Sequence, residues 1–174
     1  MLSGPPVTAT ATASPGALLE RFQAANGRQR RSLVATLKSR QQELRPLIAD
    51  HLAGLDATGD DWAAGFLIQM LLEEGDGLQN DFLNRYPDGW LATVSACGVD
   101  YAPLQRALMA QRFEEADRIT SAVLRELAGG EAVRRGYVYY SEVPPMASAD
   151  LDSLDRLWVC FSRDRFGFSV QGTL

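Results

Sequence analysis

Apolar residues recur at intervals of three and four through the first half of the chain, and short segments rich in glycine and acidic residues separate the runs. This period matches the turn of an α-helix and places the apolar side chains on one face. The separating segments, residues 26–27, 57–61 and 73–77, are typical of helix ends and turns. The pattern therefore predicts four or five short amphipathic helices over residues 17–86, packed as a bundle.

Helical spacing returns after residue 99. It predicts a helix that Asp100 can cap and that carries Leu104, Ala107 and Leu108. It also predicts a longer helix that carries Phe113 and ends at the glycines at 129–130. A further helix is predicted after a cap at Ser148 or Asp150. No alternating strand pattern competes with these assignments, so the predicted fold class is all-α.

The segment over residues 134–146 is predicted to be irregular because the prolines at 144–145 exclude a helix. It carries a cluster of tyrosines, for which a ligand-facing role is favoured because irregular segments often carry binding residues. Arginines flank the aromatic residues of this half of the chain, namely Arg134, Arg135, Arg163 and Arg165. The combination suits a flat apolar ligand that carries carboxylates. Ordinary core packing is the alternative, and it is favoured for Trp158 and Phe161 because both follow Leu154 at helical spacing.

Composition excludes several function classes. The 174 residues are 46% hydrophobic, which is enough for a packed core, and the net charge of −5 argues against a general nucleic-acid binder. The single histidine, His51, and two distant cysteines leave no metal-ligand pair and no histidine-dependent catalytic triad. Residues 56–61 place their acids wrongly for a calcium loop and are predicted to connect two helices. We therefore predict no catalytic residues, no metal site and no enzyme.

The chain divides into three predicted parts. Residues 1–16 lack basic residues and are predicted to be a disordered tail rather than a signal or transit peptide. Residues 17–90 form the predicted N-terminal helical bundle, and residues 98–174 form a second helical unit. A cytoplasmic location is predicted.

Four segments in the second unit resemble the genomes-uncoupled-four family, the porphyrin-binding regulators of magnesium chelatase. They occur in the family's order and spacing, as VDYAPLQ at 99–105, FEEADRIT at 113–120, DLDSLDRLW at 150–158 and RFGFSVQ at 165–171. The resemblance is strong from Val99 to Gln171, and the preceding helices resemble the bundle that precedes the core in cyanobacterial members.

The resemblance implies an all-helical core, shaped like a cupped palm, that binds protoporphyrin IX and magnesium-protoporphyrin IX. It implies that the protein stimulates magnesium chelatase in chlorophyll biosynthesis through the large porphyrin-binding subunit of that enzyme, and that it acts as a monomer in a cyanobacterial-type cytoplasm. Peripheral association with thylakoid membranes is left open. The residues that the resemblance assigns to ligand binding are Val133, Tyr137, Tyr140, Val143, Met146 and Phe168.

Family members continue beyond the FGFSVQ motif, whereas this sequence ends at Leu174. We therefore expect the porphyrin-binding core to be incomplete at its C-terminus. The alternative function is a helical protein-interaction module that no longer binds pigment.

Overall fold

The structure is a computed structural model that describes residues 12–172. Over that range it contains ten α-helices, one 3₁₀ turn at Tyr140–Glu142 and no β-strand. The helices are α1 (Pro15–Ala24), α2 (Gly27–Ser39), α3 (Gln41–Leu52), α4 (Trp62–Leu71), α5 (Gly77–Arg85), α6 (Ala102–Met109), α7 (Phe113–Ala128), α8 (Gly130–Arg135), α9 (Ser148–Phe161) and α10 (Phe168–Gln171). The prediction of an all-α fold is confirmed.

Side-chain caps fix the beginnings of the N-terminal helices. Ser14 accepts a hydrogen bond from the backbone of α1, Asn26 forms a capping box at α2, and Asp61 and Asp76 cap α4 and α5. The first helix begins at Pro15, two residues before its predicted start, because Ser14 supplies the cap. Most of the predicted tail, residues 1–11, lies outside the described residues.

Helix α4 is the centre of the molecule. All ten of its residues are buried, and its apolar surface continues around the whole helix, as is typical of a helix enclosed by others. Helices α3, α6 and α9 pack around it. One continuous core cluster therefore includes residues from both halves of the chain, from Leu18 to Phe161.

The second half follows the predicted order with two corrections. Asp100 accepts a hydrogen bond from the backbone of Ala102 at the start of α6, and α7 ends before Gly129, which has a φ of +107°. The predicted irregular segment begins only at Gly136, because α8 continues through Arg135. Neither Ser148 nor Asp150 caps α9, so that prediction is wrong.

Asp150 instead anchors the preceding connector. It is fully buried and accepts hydrogen bonds from the hydroxyls of Ser95 and Tyr101 and from the backbone of Ala96. Burial opposes its ionisation, but the hydrogen bonds from Ser95, Tyr101 and Ala96 outweigh that effect and hold its pKa below the ordinary value. Burial, together with the neighbouring Asp150 carboxylate, raises the pKa of Tyr101. The pair fixes residues 94–101 against the start of α9.

Candidate functional site

A cleft of about 520 Å³ opens between helices α7, α9 and α10. Its walls are mainly apolar, and their polar groups come from α7, α9 and Gln171 of α10. The lining residues are Phe113, Glu114, Asp117, Thr120, Ser121, Leu124, Asp155, Trp158, Phe166, Gly167, Phe168 and Gln171. The cleft is thus formed by three of the four segments that carry the family resemblance.

Trp158 is the central aromatic residue of the cleft. Its ring stacks on Phe113 with centroids 6.3 Å apart, and the edge-to-face contact with Phe166 measures 6.1 Å between centroids. The indole Nε1 donates a hydrogen bond of 2.9 Å to Thr120 Oγ1. These contacts hold the ring in one orientation. Trp158 packs against the core as predicted, but it is only half-buried and also lines the cleft.

The turn after α9 brings Phe166 and Phe168 to the cleft. Ser162 is buried, and its hydroxyl accepts hydrogen bonds from the backbone of Arg165 and Phe166. Arg163 and Asp164 both adopt the left-handed region at a φ of +59°, which reverses the chain within two residues.

Gly167 then allows a close approach to α9. It has a φ of +140°, and a Cβ atom at this position would lie 2.7 Å from Asp155 Oδ1 and 2.7 Å from Val159 Cγ2. Asp155 Oδ1 also accepts a hydrogen bond of 3.0 Å from Ser169 N. The glycine between the two phenylalanines is therefore required for α10 to lie against α9.

Of the six residues assigned to ligand binding from the sequence, Phe168 is the one that lines this cleft, with 43% of its surface exposed. The others lie on α8 and on the segment that connects α8 to α9. Val133, Tyr137 and Val143 are exposed, and Tyr140 is 91% exposed. Met146 is 7% exposed, so its side chain packs inside the molecule. The ligand contacts of all six residues stay predictions.

The exposed tyrosines form an ordered patch, which we call the tyrosine segment (residues 136–147). The Arg135 guanidinium lies 4.0 Å from the ring centroid of Tyr139 and 4.8 Å from that of Tyr137. It also donates a hydrogen bond of 2.6 Å to Glu142. The backbone N–H of Tyr139 and the Arg135 side chain together lower the pKa of Glu142. Arg135 thus stabilises the segment and is already paired.

The arginines expected to meet ligand carboxylates do not line the cleft. Arg134 pairs with Glu131, Arg163 lies over the ring of Phe66 at 4.9 Å, and Arg165 is exposed on the turn that follows α9. The charged residues that do line it are the acids Glu114, Asp117 and Asp155. The mixture of arginine and aromatic residues in the sequence is therefore not reproduced in the cleft.

Sequence reasoning missed most of the lining. Phe113 and Leu124 lie on the same side of α7 as Ala116 and Thr120 and are partly buried against the core, so helical spacing alone indicates core packing and does not indicate the wall of a cleft. Glu114 gave no signal, because an acidic residue in the first turn of a helix is expected from the helix dipole alone. Asp117 and Asp155 lie further along α7 and α9, where an acid on a helix surface does not by itself indicate a cleft.

A second cavity, of about 420 Å³, lies between α4, α5 and α6 and has a more polar lining that includes Glu73, Gln79, Arg106 and Arg112. None of the predicted ligand residues contributes to it. Within residues 12–172, no cluster of His, Cys, Asp or Glu is placed to hold a metal ion. No helix in that range combines the length and apolar character that crossing a bilayer requires.

Comparison with known proteins identifies the family. A family model described as GUN4-like matches residues 94–174, which include the whole cleft. The Ycf53-like protein of Synechocystis sp. is 34% identical over 159 residues, covering 90% of this chain and 68% of that protein. The chloroplastic tetrapyrrole-binding protein of Arabidopsis thaliana is 44% identical over 68 residues, covering 39% of this chain and 26% of that protein.

A third relative is the uncharacterized protein ycf53 of Pyropia yezoensis, which is 34% identical over 88 residues. The alignment covers 51% of this chain and 37% of that protein, so the chain spans well under half the length of this relative and of the Arabidopsis one. The similarity to the Synechocystis protein, in contrast, extends through most of the N-terminal helices as well as the cleft. The chain therefore belongs to the GUN4-like family, the genomes-uncoupled-four family that its sequence motifs resemble.

Proposed function

We propose that this chain is a non-catalytic tetrapyrrole-binding protein that holds protoporphyrin IX or magnesium-protoporphyrin IX in the cleft between α7, α9 and α10. The observation that carries the proposal is the fixed aromatic cluster of an open apolar cleft, in which Trp158 stacks on Phe113 and meets Phe166 edge to face. Membership of the GUN4-like family and the name of the Arabidopsis relative support the same ligand class.

The size of the apolar surface suits reversible binding. Burial of roughly 300 Å² of one porphyrin face contributes about 7 kcal/mol at ~25 cal/mol per Å². Association costs about 4 kcal/mol or more, and each aromatic contact returns about 0.5–1.5 kcal/mol. The sum corresponds to a dissociation constant between roughly micromolar and millimolar. A ligand held at this strength can be passed on, as a carrier requires.

The tyrosine segment, together with Val133 on α8, supplies the second part of the proposed site. Large apolar and aromatic side chains left in solvent are a common feature of binding surfaces. Val133, Tyr137, Tyr140 and Val143 are such residues, and they precede α9, the helix that carries Trp158. We propose that they contact the face of the porphyrin that Phe168 leaves uncovered. Met146 is proposed to support them from inside the molecule, since its own side chain is buried.

The finer part of the proposal concerns the partner. The resemblance to the family suggests that the loaded protein stimulates magnesium chelatase through the large porphyrin-binding subunit of that enzyme. In this role the chain performs no bond chemistry: its residues hold and orient the porphyrin, and the chelatase inserts the magnesium.

The first test is a titration of protoporphyrin IX and magnesium-protoporphyrin IX into the chain with tryptophan fluorescence as the readout. Trp158 lines the cleft, whereas Trp62 and Trp90 are buried outside it and supply the background. We expect saturable quenching, with a smaller amplitude in Trp158→Phe. Absence of saturable quenching would remove the porphyrin proposal and leave a helical interaction module.

A matched pair of variants tests the position of the site. Phe168 is a half-exposed cleft residue, while Tyr86 packs on Phe82 with centroids 5.0 Å apart and lies outside the cleft. We expect Phe168→Ala to weaken porphyrin binding by about tenfold, as for loss of roughly 1.4 kcal/mol of ring contact, and Tyr86→Ala to leave binding unchanged. Equal affinities for the two variants would remove Phe168 from the site. Chelatase assays with the same pair then test stimulation, which should fall with Phe168→Ala alone.

A further inference from the structure

We infer that Glu114, Asp117 and Asp155 are specificity-determining residues that restrict the cleft to tetrapyrroles whose carboxylates lie along one edge of the ring. Porphyrins with carboxylates on every pyrrole would be excluded. The inference rests on the proposed function, because it concerns the same cleft, and it adds which members of the ligand class can enter.

The three acids face the cleft from two sides. Glu114 and Asp117 are one turn apart on α7, and Asp155 lies on α9. No lysine or arginine contributes to the lining. Over the described range 12–172, no cationic group lies within 4.0 Å of any of the three carboxylates. Their negative charge is therefore not neutralised by an ion pair at the cleft wall.

Only part of this charge has a structural explanation. Glu114 lies in the first turn of α7, where the helix dipole favours an acid, and Asp155 accepts the backbone hydrogen bond from Ser169. Asp117 lies beyond the first turn, and within residues 12–172 its carboxylate forms no hydrogen bond or ion pair. It is exposed to solvent at the wall of the cleft, so its carboxylate can act on a ligand there.

The effect follows from Coulomb repulsion. A cleft lined by one sign of charge with apolar walls concentrates the field, and it repels a ligand carboxylate more strongly than open water does. A porphyrin with two carboxylates on one edge can insert its opposite edge and keep both carboxylates in solvent. A porphyrin with a carboxylate on every pyrrole has no such edge, so any orientation brings a negative group near these acids.

The test compares protoporphyrin, coproporphyrin and uroporphyrin, which carry two, four and eight carboxylates, in titrations against the full chain. The variants are wild type, Glu114→Gln/Asp117→Asn and the control Glu126→Gln. Glu126 is an exposed acid on α7 that does not line the cleft, so its replacement removes one negative charge from the same helix outside the cleft, whereas the double variant removes two from the cleft wall. Asp155 is left intact because it holds the backbone of Ser169.

We expect wild type to bind protoporphyrin more tightly than the other two porphyrins. In the double variant, the ratio of the dissociation constants of uroporphyrin and protoporphyrin should fall by roughly tenfold or more. In Glu126→Gln this ratio should stay unchanged. In wild type the same ratio should also fall as the salt concentration is raised, because salt screens the repulsion between the acids and the ligand carboxylates.

Two results separate the failure of this inference from the failure of the proposed function. The first result is that wild type binds protoporphyrin, but the double variant lowers the ratio of the uroporphyrin and protoporphyrin dissociation constants no more than Glu126→Gln does. In that case the acids do not set specificity. If wild type binds none of the three porphyrins saturably, the proposed function is wrong and the inference falls with it.

Discussion

Replacement of Gly65 by alanine tests a close contact between helices α4 and α9. Gly65 lies in α4, and a Cβ atom there would be 2.1 Å from the carbonyl oxygen of Cys160 and 2.8 Å from its carbonyl carbon, both in the backbone of α9. An ordinary contact begins at 3.4 Å. Because the obstructing atoms are backbone, no side-chain rotation relieves the clash, and α4 and α9 must separate.

The magnitude follows from two opposing effects. Overpacking of a buried site costs typically about 1–3 kcal/mol, and we expect the upper end here because a helix must move. Alanine is better than glycine inside a helix by about 1 kcal/mol. The net loss of unfolding free energy should be about 2 kcal/mol or more, which corresponds to a fall in Tm of roughly 4–8 °C for a chain of this size.

Urea denaturation, followed by circular dichroism, measures this loss. Gly16→Ala is the control: Gly16 lies in α1, and a Cβ atom there meets nothing within 4 Å. That variant should be unchanged or more stable by up to about 1 kcal/mol. An unfolding free energy for Gly65→Ala within about 0.5 kcal/mol of wild type, a change typical of surface substitutions, would refute the packing argument.

Two further substitutions test polar side chains that hold the fold together. Hydrogen bonds from Arg45 lower the pKa of Asp76 from 3.8 to about 2, so the stability from this pair is fully present above pH 3.8 and is lost as the pH falls through about 2. Asp76→Asn keeps an oxygen that can cap α5 but removes the charge. The difference in unfolding free energy between this variant and wild type, measured in urea, should therefore shrink between pH 4 and pH 2. A difference that stays constant over this range would contradict the assignment. Asp150→Asn replaces one of the two carboxylate oxygens, which together accept hydrogen bonds from three donors, with an amide nitrogen that cannot accept. We expect the unfolding free energy at pH 7 to fall by about 1–3 kcal/mol. A loss below about 0.5 kcal/mol would show that Asp150 does not anchor residues 94–101.

Features encoded by neighbouring residues could be predicted from the sequence. The helices over residues 15–85 follow the apolar spacing, and Asp100 and Gly129 act at helix ends as expected. These signals are local, because a cap or a helical face is set by residues within a few positions. The same reasoning failed at residues 134–135, which were predicted to be irregular but belong to α8. The prolines at 144–145 restrict only the residues close to them, so they do not prevent a helix that ends at Arg135.

Features that depend on distant partners could not be predicted. Asp150 looked like a helix cap because its neighbours are helical, yet it accepts hydrogen bonds from Ser95 and Tyr101, about fifty positions earlier in the chain. Trp158 has the spacing of a core residue, and spacing alone does not separate the core from the wall of a cleft. Phe168 was identified through the family resemblance, which carries tertiary information that the residue pattern lacks.

Helix α9 connects the stability of the fold to the geometry of the cleft. One face carries Cys160 against α4, and the other carries Asp155 and Trp158 into the cleft. On a third side, Arg156 donates hydrogen bonds to the carbonyl groups of Ala57, Gly59 and Ala92, so α9 is also held by the turn before α4. The N-terminal helices thus fix the helix that presents the aromatic stack. A displacement of α9 at Gly65 must also move Trp158, and porphyrin affinity should therefore respond to packing on the side of α9 that faces away from the ligand.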